Sequence, residues 1–158
     1  MIQIRPATPI DVPLILQLVR ELAEYEREPD AVIATEGMLH EALFERGVAE
    51  SVIAELDGKS VGFALFFHNF STWTGKPGIY LEDLYVTPDA RGAGAGKALL
   101  QHLAGIALDR GCSRFEWAVL DWNTPAIDFY RAMGAQAMDE WTVQRVSGDA
   151  LTALAGRS

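Results

Sequence analysis

The sequence predicts an α/β fold in which a mixed, mostly antiparallel central sheet is flanked by helices, and three observations support this prediction. Alternating apolar residues mark strands in the middle of the chain, and a tight turn at Asp57-Gly58 joins two of them. Apolar residues at helical spacing come before these strands, from Ile15 to Leu22, and after them, over residues 94–109. A strand–helix–strand unit from Tyr80 to Leu120 requires one parallel crossover, so the sheet is mixed.

The predicted elements follow the order β-α-α-β-β-β-α-β-α-β. Capping residues and glycines set most helix ends: Thr8-Pro9 opens the first helix, Thr35 opens the second, and Gly111 and Gly134 follow the last two. The strands are predicted at residues 2–5, 48–56, 60–68, 78–86, 114–120 and 137–146. The helices are predicted at residues 8–25, 35–45, 94–109 and 124–133. The whole chain, 1–158, is expected to form one domain, with a small helix or a frayed tail over residues 148–158.

The composition is that of an ordinary globular protein, and we expect the protein to be located in the cytoplasm. No apolar run approaches the roughly 20 residues of a membrane span, and the N-terminus lacks the pattern of a secretory signal. The lone Cys112 excludes an internal disulfide framework. A net charge of −9 argues against a nucleic-acid partner. The ten acids and four bases of residues 1–50 could attract a cationic substrate or could simply solvate helix surfaces.

A glycine-rich segment, Arg91–Lys97, follows a predicted strand and opens the third helix with the sequence Arg-Gly-Ala-Gly-Ala-Gly-Lys. Glycines leave backbone N–H groups uncovered, and a helix start carries a partial positive charge, so this segment predicts a phosphate site. A P-loop needs Ser or Thr after its Gly-Lys pair, but Ala98 stands there. The dinucleotide spacing G-x-G-x-x-G is also absent.

Two further motifs flank the loop in a fixed order. Residues 80–86 read Tyr-Leu-Glu-Asp-Leu-Tyr-Val, and residues 123–135 read Asn-Thr-Pro-Ala-Ile-Asp-Phe-Tyr-Arg-Ala-Met-Gly-Ala. With the loop and the N-terminal Ile4–Thr8, they resemble the GNAT superfamily of N-acetyltransferases over almost the whole chain. Within it, the chain is most similar to the diamine (spermidine/spermine) and thialysine N-acetyltransferases, which also share features of residues 21–26 and 73–76. The resemblance implies the GNAT-like fold, a homodimer and acetyl-CoA as the cosubstrate.

By the same resemblance, the coenzyme A pyrophosphate would lie on the loop amides, and strand backbone would pair with the pantetheine arm. Asn123 would bind the arm, cap the helix that follows it, or do both. Contacts with acetyl-CoA are expected from Leu84, Tyr85, Val86, Arg91, Gly92, Ala93, Gly94, Ala95, Gly96, Lys97, Asn123, Pro125 and Tyr130.

The resemblance also assigns the catalytic roles. An alkylammonium has a pKa of about 10.4, so it must lose a proton before it attacks the thioester. Glu82 is the expected base, through a water molecule, and Tyr130 is the expected general acid for the departing thiolate. Contacts with the cationic substrate are expected from Tyr25, Glu26, Trp73, Glu82 and Asp83. No metal is expected, because His40, His68 and His102 have no ligand spacing.

Several acceptors remain open for this site. The primary amine could belong to a polyamine or to a lysine-like amino acid such as thialysine. The acidic pair Glu82-Asp83 would equally suit a protein N-terminus, an aminoglycoside or a xenobiotic amine. A non-catalytic acyl-CoA sensor would keep the glycine loop without needing Glu82 and Tyr130, and their joint presence favours an enzyme.

Overall fold

Five strands form one sheet in the computed structural model, which describes residues 1–157. The chain divides into two compact units, residues 1–120 and the residues from Asp121 onward. The first unit contains β1 (Ile2–Pro6), α1 (Val12–Tyr25), α2 (Glu36–His40), β2 (Glu50–Leu56), β3 (Lys59–Ser71), β4 (Lys76–Val86), α3 (Ala95–Asp109) and β5 (Phe115–Trp117). The second unit contains α4 (Thr124–Ala132) and α5 (Gly148–Leu154).

The strands lie in chain order, β1-β2-β3-β4-β5. The first four are antiparallel neighbours, whereas β4 and β5 are parallel because α3 returns the chain to the same end of the sheet. This arrangement confirms the predicted fold class, a mixed and mostly antiparallel sheet flanked by helices. No helix described within residues 1–157 is both long enough and apolar enough to cross a membrane.

Helices α1 and α3 supply the apolar cover of the sheet. Ile15 and Leu18 of α1 are fully buried against Ile53, Phe63 and Tyr85, which share one face of β2, β3 and β4. Residues alternate between faces along a strand, so the neighbours of these three point to the other face, where α3 contacts the sheet. The α3 residues Leu99 and Leu103 are fully buried.

The prediction of a last strand at 137–146 is wrong. The structure gives these residues no strand, and the N–H of Trp141 donates to the carbonyl of Met138 in a turn. The segment alternates apolar and polar residues. Alternation gives an extended segment one apolar side, but a strand also needs a neighbouring strand that completes its backbone hydrogen bonds. Trp141 and Val143 are 68% and 78% exposed, so the alternation buries neither of them.

Other boundaries differ in ways that matter for the site. The predicted strand 114–120 is reduced to Phe115–Trp117, which leaves the end of β4 without a strand neighbour on that side among residues 1–120. The second helix continues past His40 as a π-turn over Glu41–Glu45, where the N–H of Arg46 donates to the carbonyl of Glu41. The weakly patterned tail contains the helix α5, and Ser158 lies outside the described residues.

Candidate active site

The glycine loop presents uncovered backbone N–H groups at the start of α3. Gly92 and Gly94 have φ values of +89° and +88°, a left-handed conformation that residues with a Cβ atom rarely adopt. The first intrahelical bond runs from the N–H of Ala98 to the carbonyl of Gly94. The preceding N–H groups of residues 95–97 therefore have no partner within the helix, and Gly94 provides no side-chain cap. This geometry fits the predicted phosphate site.

The strand that leads to this loop has an open edge. β5 pairs with β4 only from Ile79 to Leu81, whereas β4 continues to Val86. On its other side, β4 pairs with β3 up to Val86, and the next bond runs from the N–H of Thr87 to the carbonyl of Val61. Antiparallel ladders alternate, so Leu84 and Val86 direct their N–H and C=O groups toward the edge that β5 has left. An extended ligand could pair with this edge as a strand does.

Glu82 lies in a β-bulge at the start of the open edge. Asp83 pairs with Leu65 and Leu81 pairs with Phe66, so Glu82 is an extra residue on β4. A bulge bends its strand and redirects the side chain of the extra residue. The side chain of Glu82 is exposed, as a base that works through water requires.

The bulge brings acidic groups together near the end of α1. Burial, together with the nearby carboxylates of Glu82 and Glu26, raises the pKa of Asp83 to about 6. Burial also raises the pKa of Glu26. Within residues 1–157, none of these three carboxylates forms an ion pair. Three predicted substrate residues therefore share one electronegative region. A cation that enters it would not have to displace a basic side chain already paired with one of these carboxylates.

Tyr25 and Tyr85 flank the arginine of the glycine loop. The guanidinium carbon of Arg91 lies 5.4 Å from the centre of the Tyr25 ring and 5.6 Å from that of Tyr85. Arg91 Nε donates to the carbonyl oxygen of Val86 at 3.1 Å. The hydroxyl of Tyr85 donates to Glu21 at 3.2 Å. The structure thus places Tyr25, predicted to contact the substrate, against a residue predicted to bind the cofactor.

Trp73 lies far from the acidic region along its own chain. It occupies the turn between β3 and β4, which closes at the pair Ser71 and Lys76, and its side chain is 87% exposed. Glu82 lies six positions after Lys76 on β4, a span of about 20 Å at the usual rise of a strand. A tryptophan side chain does not reach across this distance. The contact of Trp73 with the substrate stays a prediction.

The second unit contains the remaining predicted residues. Asn123 is 7% exposed, and its side-chain oxygen accepts from the N–H of Ala126 at 3.4 Å, so it caps α4. Pro125 occupies the first turn of that helix. Tyr130 lies in the last turn of α4 and is partly buried. The capping role of Asn123 is present, while its contact with the cofactor and the acid role of Tyr130 stay predictions.

Tyr80 is a further candidate residue of the active site, and the sequence alone did not indicate it. On β3, residues 63, 65 and 67 alternate onto one face, and their partners on β4 are Tyr85, Asp83 and Tyr80. The rings of Tyr80 and Phe67 lie 5.3 Å apart. Burial raises the pKa of Tyr80, and the carboxylates of Glu82 and Glu116 contribute in the same direction. Strict alternation would place residues 80 and 83 on opposite faces of the sheet. Only the bulge places Tyr80 on the same face as Asp83.

The sheet and the glycine-rich start of α3 fit an acyltransferase, and the comparisons with known proteins agree. Residues 14–135 match the Acetyltransferase (GNAT) family. The thialysine N-epsilon-acetyltransferase of Bos taurus is 41% identical, over 99% of this chain and 98% of the bovine protein. The L-ornithine N5-acetyltransferase of Arabidopsis thaliana is 33% identical, over 96% of this chain and 87% of that protein. An integron cassette protein from the V. cholerae mobile metagenome has a TM-score of 0.81 and 29% identity, over 98% and 97% of the two chains.

The chain therefore belongs to the GNAT acetyltransferase family, as its motifs suggested. It is an N-acetyltransferase. The GNAT family uses acetyl-CoA. Among residues 1–157, no group of three or more His, Cys, Asp or Glu side chains is arranged to hold a metal ion.

Proposed function

We propose that this protein transfers the acetyl group of acetyl-CoA to a primary amine of a small cationic substrate, either a polyamine or a lysine-like amino acid such as thialysine. The observation that carries this proposal is the arrangement along β4. One strand leads from the acidic residues Glu82 and Asp83, past the open edge at Leu84 and Val86, to the phosphate loop. A donor with a phosphate end and a thioester end would thus present its thioester beside the acids.

The loop and the strand edge would hold the donor. The N–H groups of residues 95–97 and the glycine amides would bind the pyrophosphate, with charge from Arg91 and Lys97. The amide groups of the pantetheine arm would pair with Leu84 and Val86 as a neighbouring strand would. Asn123 and Pro125, at the start of α4, would complete the contacts with the arm.

The acidic region would select and activate the acceptor. At neutral pH, only about one alkylamine in 10³ is unprotonated, so catalysis needs a route for the ammonium proton. Glu82 would accept that proton through water, and the amine nitrogen would then attack the carbonyl carbon of the thioester. Asp83 and Glu26 would attract a second positive charge on the same substrate. The pairing of two cation sites favours a diamine or a basic amino acid.

Tyr130 would complete the reaction. As the tetrahedral intermediate collapses, the carbon–sulfur bond breaks and the thiolate of coenzyme A needs a proton. A phenol can supply it and regain a proton from solvent after the products leave. The transfer is direct, so no serine or cysteine of the enzyme becomes acetylated.

A homodimer would place Trp73 in the acceptor site. Trp73 of one copy is too distant from the acids of its own chain, but its exposed ring could pack on the alkyl chain of a substrate bound to a second copy. Size-exclusion chromatography with light scattering would test this directly, and a monomer that is fully active would contradict both the dimer and the role of Trp73. The cytoplasmic location stays a prediction.

A panel of amines would test the proposed activity. Purified protein and acetyl-CoA are mixed with spermidine, putrescine, thialysine, ornithine, an aminoglycoside or a peptide with a free N-terminus, and free coenzyme A is measured with a thiol reagent. We expect release with the diamines or basic amino acids well above the rate without any amine. Tyr130→Phe should lower kcat by about 10²-fold or more while the KM for acetyl-CoA changes little.

The outcomes of the panel separate the possible acceptors. Release with the aminoglycoside or peptide alone would overturn the substrate assignment but not the reaction. If coenzyme A raises the melting temperature and no primary amine produces turnover, the result favours an acyl-CoA sensor, and the proposed substrate assignment fails.

A further inference from the structure

We propose that Tyr25 and Tyr85 are positioning residues that hold the guanidinium of Arg91 ready for a phosphate group of the cofactor. This inference rests on the proposed function, because it assumes that coenzyme A binds at the glycine loop. It moves Tyr25 from the acceptor side of the site, where the sequence placed it, to the cofactor side. It also gives the buried hydroxyl of Tyr85 a role in keeping Arg91 free.

The contacts of Arg91 leave the two terminal nitrogens of its guanidinium group available to a ligand. Its Nε is engaged by the carbonyl of Val86 at 3.1 Å, and its charged carbon lies within 6 Å of two aromatic ring centres. Within residues 1–157, neither terminal nitrogen of Arg91 forms a hydrogen bond or an ion pair. Two parallel N–H groups are therefore free to bind two oxygens of one phosphate.

Acidic residues near Arg91 would otherwise compete for it. The carboxylates of Glu21 and Glu24 and the guanidinium of Arg91 all lie close enough to act electrostatically on Tyr85. Within residues 1–157, Glu21 nevertheless forms no ion pair, and its carboxylate instead accepts from the hydroxyl of Tyr85 at 3.2 Å and from the side-chain amide of Gln17 at 3.0 Å. The tyrosine thus separates the two charges: its hydroxyl engages the acid, and its ring holds the base.

Tyr25 connects this cluster to the acceptor side. It is the last residue of α1, it lies 5.4 Å from the guanidinium carbon of Arg91, and the next residue is Glu26. Glu26 in turn lies near Asp83 in the acidic region. A single helix end therefore contacts the cofactor side through Tyr25 and the acceptor side through Glu26, and substitutions at these two neighbours should affect different substrates.

Calorimetric titration with coenzyme A tests the role of the Tyr25 ring. We expect Tyr25→Leu to raise the Kd for coenzyme A by about three- to tenfold, the usual effect of losing one cation–π contact, and Tyr25→Phe to restore most of the affinity. In the background of Arg91→Ala, Tyr25→Leu should have almost no further effect. A merely structural role would give additive losses instead.

A second pair of variants tests the hydroxyl of Tyr85 without removing its buried ring. Tyr85→Phe frees Glu21 to pair with Arg91, so the Kd for coenzyme A should rise by about threefold or more. Adding Glu21→Gln removes the competing charge and should restore the affinity. Thermal melts of each variant confirm that the fold is retained.

Three results would overturn the inference. The first is an unchanged Kd for Tyr25→Leu together with a raised KM for the amine, which would make Tyr25 an acceptor residue. The second is additivity of Tyr25→Leu and Arg91→Ala. The third is a failure of Glu21→Gln to rescue Tyr85→Phe. If the wild-type protein itself does not bind coenzyme A, the proposed function fails as well, and that outcome is distinct from the other three.

Discussion

Replacing Asp83 by Asn should stabilise this protein at neutral pH and remove part of its pH dependence. The ordinary pKa of an aspartate is 3.8, and burial with two neighbouring carboxylates raises that of Asp83 to about 6. The folded state thus holds the proton more tightly than the unfolded state. The resulting loss of stability is absent below pH 3.8, grows as the pH rises, and is complete above pH 6.

The size of the effect follows from the two pKa values. A difference of about 2 between 6 and 3.8 corresponds to about 3 kcal/mol of unfolding free energy at pH 7. About half of this, roughly 1.5 kcal/mol, should return when the pH falls from 7 to 5. Asparagine has nearly the same shape and carries no charge, so Asp83→Asn should gain up to about 3 kcal/mol at pH 7 and much less at pH 4.

Urea unfolding from pH 4.5 to pH 8 measures this difference. The wild-type protein and Asp83→Asn are compared with Asp139→Asn, which changes an exposed aspartate of the second unit. The gain of Asp83→Asn over wild type should grow with pH up to about pH 6.5, while the difference for the control stays constant. A gain that does not vary with pH, or a loss of stability at pH 7, would refute the reasoning.

Three further predictions concern stability and cofactor binding. Gly78→Ala should lose about 1–3 kcal/mol, because a Cβ atom there would overlap the side chain of Asn69 and approach the carbonyl of Arg114 at 3.1 Å; Gly105→Ala, inside α3 with nothing within 4 Å, should instead gain about 0.5–1 kcal/mol in the same urea assay. Asp11→Asn should lose stability at pH 7 but little at pH 2, because the Arg5 guanidinium lowers the pKa of Asp11 to about 2; equal losses at both pH values in urea titrations would contradict this. Gly94→Ala should raise the Kd for coenzyme A by about tenfold or more in calorimetry, because a Cβ atom disfavours the φ of +88° that presents the loop amides, and an unchanged Kd would exclude that geometry.

The sequence was sufficient to predict the fold class and the glycine-rich start of α3, because each depends on local spacing, whereas phosphate binding there stays a prediction. Glycines at alternate positions require the left-handed backbone that Gly92 and Gly94 adopt. Two details depended on pairing between distant segments and could not be read locally. The bulge at Glu82 appears only when β4 is set against β3, and the early end of β5 at Trp117 appears only when β5 is set against β4.

Side-chain partners were the least predictable part of the site. Tyr25 is an aromatic residue at the end of α1, next to the acidic Glu26, and it was therefore predicted to contact the cationic substrate. The cation that it meets is Arg91 of the protein itself, from a segment 66 positions later in the chain. The predicted strand at 137–146 was wrong for a related reason, because its alternation gives no information about a hydrogen-bonding neighbour.

The unpaired edge of β4 also bears on how this protein avoids association with other chains. An exposed strand edge is a template on which a foreign strand can add and start aggregation. Here the exposed stretch is only a few residues long, an acidic side chain stands at its bulged beginning, and the side chain of Arg91 covers the carbonyl of Val86 at its end. A short edge that carries charge at both ends is a poor template for a foreign strand, so these features oppose aggregation through β4.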